Sequence, residues 1–189
     1  HDLLGEAAHL LKDRWPAIDR LRFTNSGTES TMHAIRAARA YSGRDKVVKV
    51  EGAYHGAHDA VMHNVSPAAG EMGHPKRPAV VAESDGIPGS TSEDVLVAPF
   101  NDLEATEEIM REHGSEIGGL MVEPVMLNKS VTAPRDDYLA GLRELCDEYN
   151  VVLIFDEVKT GVKLAPGGAT ELYGVQPDLV TMAKSIGGE

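Results

Sequence analysis

Two nearly continuous apolar runs, each closed by a carboxylate, constrain the fold of this chain most. They are Gly119-Leu120-Met121-Val122-Glu123 and Val151-Val152-Leu153-Ile154-Phe155-Asp156. A strand that is apolar on both faces must be covered on both faces, which is the condition of a parallel sheet between helical layers. From residue 95 onward strand-like runs (95–98, 119–123, 151–155, 179–182) alternate with helical spacing (103–113, 136–149). Earlier in the chain, residues 3–11 read as a short amphipathic helix ending near Trp15-Pro16, and residues 22–25 as a short extended segment. A helix starts at Ser26-Gly27-Thr28-Glu29, runs to Tyr41 and is closed by Gly43; residues 46–50 form a strand. Residues 64–94, rich in Pro, Gly, Ser and Ala, read mostly as loop. The pattern specifies an α/β chain with a mostly parallel sheet.

Charge and composition remove several classes of function. The chain of 189 residues carries a formal net charge of -12 and has no basic block, which argues against nucleic acid or an anionic membrane surface as partner. No apolar run has the length of a membrane span. The single cysteine, Cys146, excludes an intrachain disulfide and sits on a helical pattern as a core residue. The default expectation is a cytoplasmic protein.

Four strand ends or loops carry polar groups suited to one ligand. Asn25-Ser26-Gly27-Thr28 offers amides, hydroxyls and a helix N-terminus, a cradle for phosphate; Ser and Thr are equally ordinary helix caps. Gly52-Ala53-Tyr54-His55-Gly56 places an aromatic ring between glycines that let backbone approach a flat ligand. Glu123 ends one apolar strand and Asn128 lies in the loop beyond it, where parallel sheets bind ligands. Asp156 ends the next strand, and a buried carboxylate there requires a partner such as a protonated pyridine nitrogen. A metal is the rival partner for Asp156 and Glu157, but adjacent strand residues face opposite sides and do not share one ion readily, so no metal is expected. Last comes Lys184, after an apolar run and before Gly187-Gly188; an amine held in apolar surroundings loses its charge readily and then attacks carbonyls. Asn128 and Asp156 are 28 residues apart, and so are Asp156 and Lys184, each interval fitting one strand–helix–strand crossover. All three therefore reach one sheet edge, and the set describes a site for pyridoxal 5′-phosphate.

With these motifs in place the chain resembles the class III (ω-type) aminotransferases of fold type I, and within them the glutamate-1-semialdehyde 2,1-aminomutase branch. The resemblance rests on Asn25-Ser26-Gly27-Thr28-Glu29, Glu51-Gly52-Ala53-Tyr54-His55-Gly56, Glu123-Pro124-Val125, Phe155-Asp156-Glu157-Val158-Lys159-Thr160-Gly161, Gly167-Gly168-Ala169, Pro177-Asp178-Leu179 and Lys184, in that order. It implies a three-layer large domain over residues 1–189, incomplete at its C-terminal side and lacking the small domain. It implies that Ser26, Gly27 and Thr28 hold the cofactor phosphate, that Tyr54 and Val158 pack on the two faces of the ring, and that Asn128 lies near the ring hydroxyl. Asp156 would keep the ring nitrogen protonated and Lys184 would form the Schiff base, with His55, Glu123 and Glu157 as supporting residues. The implied activity is transfer of an amino group on a small amino acid or amino aldehyde, by transamination or by a mutase reaction, in a homodimer. The chain departs from the aminomutase branch at Met62-His63-Asn64-Val65-Ser66-Pro67, at Leu127 and Lys129-Ser130, and at Glu189. A catalytically inactive binding module and a decarboxylase or racemase on the same cofactor are the alternatives.

Overall fold

A computed structural model of the chain describes residues 2–15, 18–128 and 130–187; Pro16, Lys129, Gly188 and Glu189, singled out above, lie outside this set. The elements in chain order are α1 (Asp2–Arg14), α2 (Gly27–Ser42), β1 (Lys46–Val50), β2 (Gly73–His74), β3 (Arg77–Pro78), α3 (Gly89–Ser92), β4 (Val95–Ala98), α4 (Leu103–His113), β5 (Ile117–Val122), α5 (Tyr138–Tyr149), β6 (Val152–Asp156), α6 (Gly161–Leu164), α7 (Gly168–Tyr173) and β7 (Leu179–Thr181), followed by a 3-10 turn at Lys184–Gly187.

The apolar runs become the centre of one five-stranded parallel sheet in the order β4-β1-β5-β6-β7. Register follows from burial: Gly119 pairs with Val152, Met121 with Ile154, and Ile154 with Leu179. Every residue of β5 and β6 is buried, as two-sided cover demands. Side chains alternate between two cores. Val48, Val50, Leu120, Val122, Leu153 and Phe155 pack with Ile109 and Met110 of α4 and with Leu139, Leu142 and Cys146 of α5. Val47, Met121, Val152 and Ile154 face Ala34, Ile35 and Ala38 of α2. The three layers are helix, sheet and helix, and because all strands are parallel their C-terminal ends share one edge.

The structure adds detail to the sequence reading and corrects parts of it. Residues 64–94 are mostly irregular, with a two-residue hairpin (β2–β3) and the single turn α3. Asn64 holds this segment: its amide donates to the Ala79 carbonyl at 2.7 Å and its Oδ1 accepts from Val81 N at 2.8 Å. Residues 22–25 carry no helix or strand. The short helices α6 and α7 have too few turns for a periodic pattern to show in the sequence. The final strand is shorter than expected and lies at the edge of the sheet with one neighbour, so two of its three residues are only half-buried.

Candidate active site

The C-terminal edge of the sheet opens into a cleft of about 1410 Å³ whose walls include Ser26, Gly27, Thr28, Tyr54, His55, Gly56, Asp156, Val158, Lys159 and Lys184. A smaller cleft of about 500 Å³ between α1 and α6 is apolar, lined by Leu10, Trp15 and Val162, and gathers no chemistry.

At the head of the large cleft, α2 begins. Ser26 is its N-cap: Oγ accepts from Glu29 N at 3.1 Å, while the Glu29 carboxylate accepts from Asn25 N at 2.7 Å. Capping and anion binding are compatible here, because a hydroxyl that accepts one bond still has its own O–H to donate. Thr28 Oγ1 likewise accepts from Ala57 N at 3.3 Å. The amides of Gly27 and Thr28, in the first turn, have no intrahelical acceptor. A Cβ on Gly27 would lie 3.1 Å from Val158 Cγ1 and 3.3 Å from Ala183 Cβ. Glycine lets the start of this helix sit close against the loops after β6 and β7, where a side chain would be tight.

At the floor of the cleft is Asp156, 3% exposed. Its Oδ1 accepts from the Thr181 hydroxyl at 2.8 Å and from Val158 N at 3.1 Å, and its Oδ2 meets His55 Nδ1 at 2.7 Å. Three donors leave a carboxylate with room for a fourth. His55 is itself fixed, since its carbonyl accepts from the buried Thr31 hydroxyl at 2.6 Å, and its Nε2 is buried without a protein partner among the described residues. Thr31 also contacts His58 Nε2 at 3.3 Å; burial, then the neighbouring His55, pushes His58 down to about 4.

Glu123 follows β5 directly and is 2% exposed. Its Oε1 accepts from Tyr54 N at 2.8 Å, and its Oε2 accepts from Leu127 N at 3.3 Å and from Lys159 Nζ at 3.4 Å. Glu123 therefore sets the Tyr54 backbone without lining the cleft. Asn128 is exposed, does not line the cleft, and is joined to it by Lys159, whose Nζ lies 3.3 Å from Asn128 Oδ1.

Besides Asn128, expected near the ring but found outside the cleft, two expectations change. Lys184 is not held in an apolar strand end. It opens the 3-10 turn three residues beyond β7, is exposed, and takes a left-handed backbone with φ 51°. The amine still borders the same cleft as Asp156. Glu157 points away from the cleft and accepts from Ala169 N (2.6 Å), Thr170 N (3.1 Å), Thr170 Oγ1 (2.9 Å) and Thr160 Oγ1 (3.1 Å). Burial raises its pKa against the pull of those bonds. It pins the start of α7 rather than serving the cleft. Asp156 and Glu157 thus face opposite sides, and among the described residues no three His, Cys, Asp or Glu side chains are grouped to hold a metal ion.

Lys159 was not anticipated from the sequence. Its signal was its place two residues after Glu157, in the loop that leaves β6 beside Val158. It lines the cleft, pairs with Glu123, and stands 5.8 Å from the centre of the Tyr54 ring.

The donor set fits a phosphorylated, flat, cationic ring: free amides at a helix start, an aromatic face, a buried carboxylate with spare capacity, and an amine. Comparison with known proteins agrees with that chemistry. The family model for aminotransferase class-III matches residues 1–188. A glutamate-1-semialdehyde 2,1-aminomutase of Methanopyrus kandleri is 49% identical over 92% of this chain and 39% of its own length. The protein of the same name from Methanothermobacter thermautotrophicus is 48% identical over 97% of this chain and 41% of its own. Among solved structures, an omega-transaminase from Sphaerobacter thermophilus superposes with a TM-score of 0.88 at 37% identity, over 93% of this chain and 40% of that one. A glutamate-1-semialdehyde-aminomutase from Pseudomonas aeruginosa PAO1 in complex with PMP gives 0.80 at 28% identity, over 96% of this chain and 38% of that one. The chain spans about two-fifths of the length of the curated relatives it matches.

Proposed function

Because this chain belongs to the class III aminotransferase family, we propose that it forms the cofactor-holding part of an enzyme that moves an amino group with pyridoxal 5′-phosphate. One observation carries this reading: a helix N-terminus, an aromatic ring, a buried carboxylate and a lysine amine line a single cleft. When bound, the cofactor supplies an aldehyde for amines and a protonated ring that draws electrons from the amino-bearing carbon.

The residues then divide the work. The Gly27 and Thr28 amides and the Ser26 and Thr28 hydroxyls bind the phosphate at the positive end of α2. Tyr54 and Val158 would hold the ring, while Asn128 stands outside the cleft, joined to it by Lys159. Asp156 favours the proton on the ring nitrogen, because a buried anion stabilises a cation beside it. His55 and Glu123 orient Asp156 and Tyr54. Lys184 would anchor the aldehyde, and its Nζ, once free, would take and return the substrate proton.

The substrate is a small amino acid or amino aldehyde. Transamination between molecules and 1,2-migration within one use the same half-reactions. The curated relatives named as aminomutases support migration, and the higher TM-score of the omega-transaminase supports transamination. On this reading residues 1–189 are part of the large domain of a cytoplasmic homodimer. Among the described residues no helix is long and apolar enough to cross a membrane.

The test is full-length protein with cofactor, offered glutamate 1-semialdehyde and a panel of ω- and β-amino acids. Amino-group transfer with at least one is expected, and Lys184→Ala should abolish it together with the visible absorbance of lysine-bound cofactor. Loss of carboxylate from the substrate, its racemisation, or no turnover at all would overturn the reading.

A further inference from the structure

We propose that Lys159 is a positioning residue that fastens the Tyr54 ring, the Glu123 carboxylate and the Asn128 amide into one unit; this rests on the reading that the cleft holds pyridoxal phosphate. One ammonium serves all three, at 5.8 Å from the ring centre, 3.4 Å from Glu123 Oε2 and 3.3 Å from Asn128 Oδ1. The side chain is held rather than solvated, with 18% of it exposed.

Each contact has a physical consequence. Glu123 is a buried carboxylate that accepts from two amides, Tyr54 N and Leu127 N, and amides do not neutralise its charge. Lys159 Nζ, 3.4 Å from Oε2, brings a cation to it. Glu123 in turn sets the Tyr54 backbone through Oε1, so the ion pair holds both the main chain of Tyr54 and, through the ammonium over the ring, its side chain. At Asn128 the effect is orientation. An ammonium can only donate, so the atom facing it must be Oδ1, and the amide NH₂ is left for another acceptor. Lys159 therefore decides which way Asn128 points. The lysine itself is placed by the loop that Asp156 Oδ1 fixes through Val158 N, which links the clamp to the floor of the cleft.

The experiment uses full-length protein and measures the dissociation constant of pyridoxal 5′-phosphate, the circular dichroism of its visible band, and the melting temperature without cofactor. Lys159→Met should weaken cofactor binding at least tenfold and alter the dichroism, because the ring and amide lose their hold. Lys159→Arg keeps a cation over the Tyr54 ring and should stay within about threefold of wild type. The double variant Glu123→Gln/Lys159→Met buries no unpaired charge, and Gln can still accept from Tyr54 N. It should recover the melting temperature but not the affinity, and it serves as the test if Lys159→Met does not fold. Wild-type affinity and dichroism in the double variant would overturn the proposal, since Lys159 would then only balance a charge. Wild-type protein that takes up no pyridoxal phosphate would overturn the cofactor reading itself, and the clamp with it.

Discussion

His55 Nδ1 lies 2.7 Å from Asp156 Oδ2, and both side chains are closed to solvent. An ionised carboxylate has no proton to give, so the imidazole donates from Nδ1. The other ring nitrogen, Nε2, is buried without a protein partner among the described residues. Thr31 holds the His55 backbone, His55 holds Oδ2 of Asp156, Thr181 and Val158 N hold its Oδ1, and Asp156 faces the cleft.

Replacing His55 with Phe should leave Oδ2 of Asp156 short of a donor. A hydrogen bond to a charged group contributes about 1.5–3 kcal/mol, so cofactor binding should weaken by roughly 10- to 100-fold. His55→Asn, whose amide can donate from a similar position, should recover part of it. Titration of the full-length variants with pyridoxal phosphate checks both.

Gly56 should tolerate no side chain. Its φ is 101°, and a Cβ there would sit 2.7 Å from Thr28 Oγ1 and 2.8 Å from Thr28 Cα. Gly56→Ala must strain the backbone or push α2 away from the Tyr54 loop, at a cost of about 1–3 kcal/mol. Chemical denaturation should show that loss, and cofactor titration a weakened phosphate site.

His58 should make stability depend on pH. Its pKa is lowered from 6.5 to about 4 by burial first, then by His55, Arg36 and Arg39, with Asp59 opposing. The fold thus disfavours the protonated ring. The stabilising share is fully present above 6.5 and is lost as pH falls toward 4. The loss should be on the order of 2 kcal/mol, allowing for partial exposure. Urea denaturation of wild type and His58→Gln at pH 7 and pH 4.5 should show a smaller decline in the variant; equal declines would exclude His58 as the source.

Cys146 should be inert in the folded protein. Burial against α4 and the sheet pushes its thiol up to about 12. Thiol reagents should label it only after denaturation, which peptide mapping of the modified chain would read.

Much of the fold was legible because strands buried on both faces leave an unmistakable sequence pattern. Residues 119–123 and 151–155 were placed within two residues of β5 and β6, since almost every position there is apolar for one reason, cover on both sides. Chain spacing also placed Asp156 and Lys184 at one edge, because each crossover in a parallel sheet returns the chain to the same end. Lys159 was not legible. Its partners Glu123 and Asn128 come from a different strand end and Tyr54 from a third, so no local pattern marks it. Glu157 misled for the opposite reason: its neighbour Asp156 is in the cleft, but the strand turns Glu157 to the other side, where α7 supplies three donors and Thr160 a fourth.

The sequence by itself determined the parallel α/β layer and the set of groups at its edge. Hydrophobic period and crossover length are properties of the chain alone. Only the tertiary structure decided how those groups are held: which oxygen of Asp156 meets His55, and which residues meet Glu123 and Asn128. Those are contacts between residues 31 to 101 positions apart, set by the packing of separate strand ends, and no spacing along the chain encodes them.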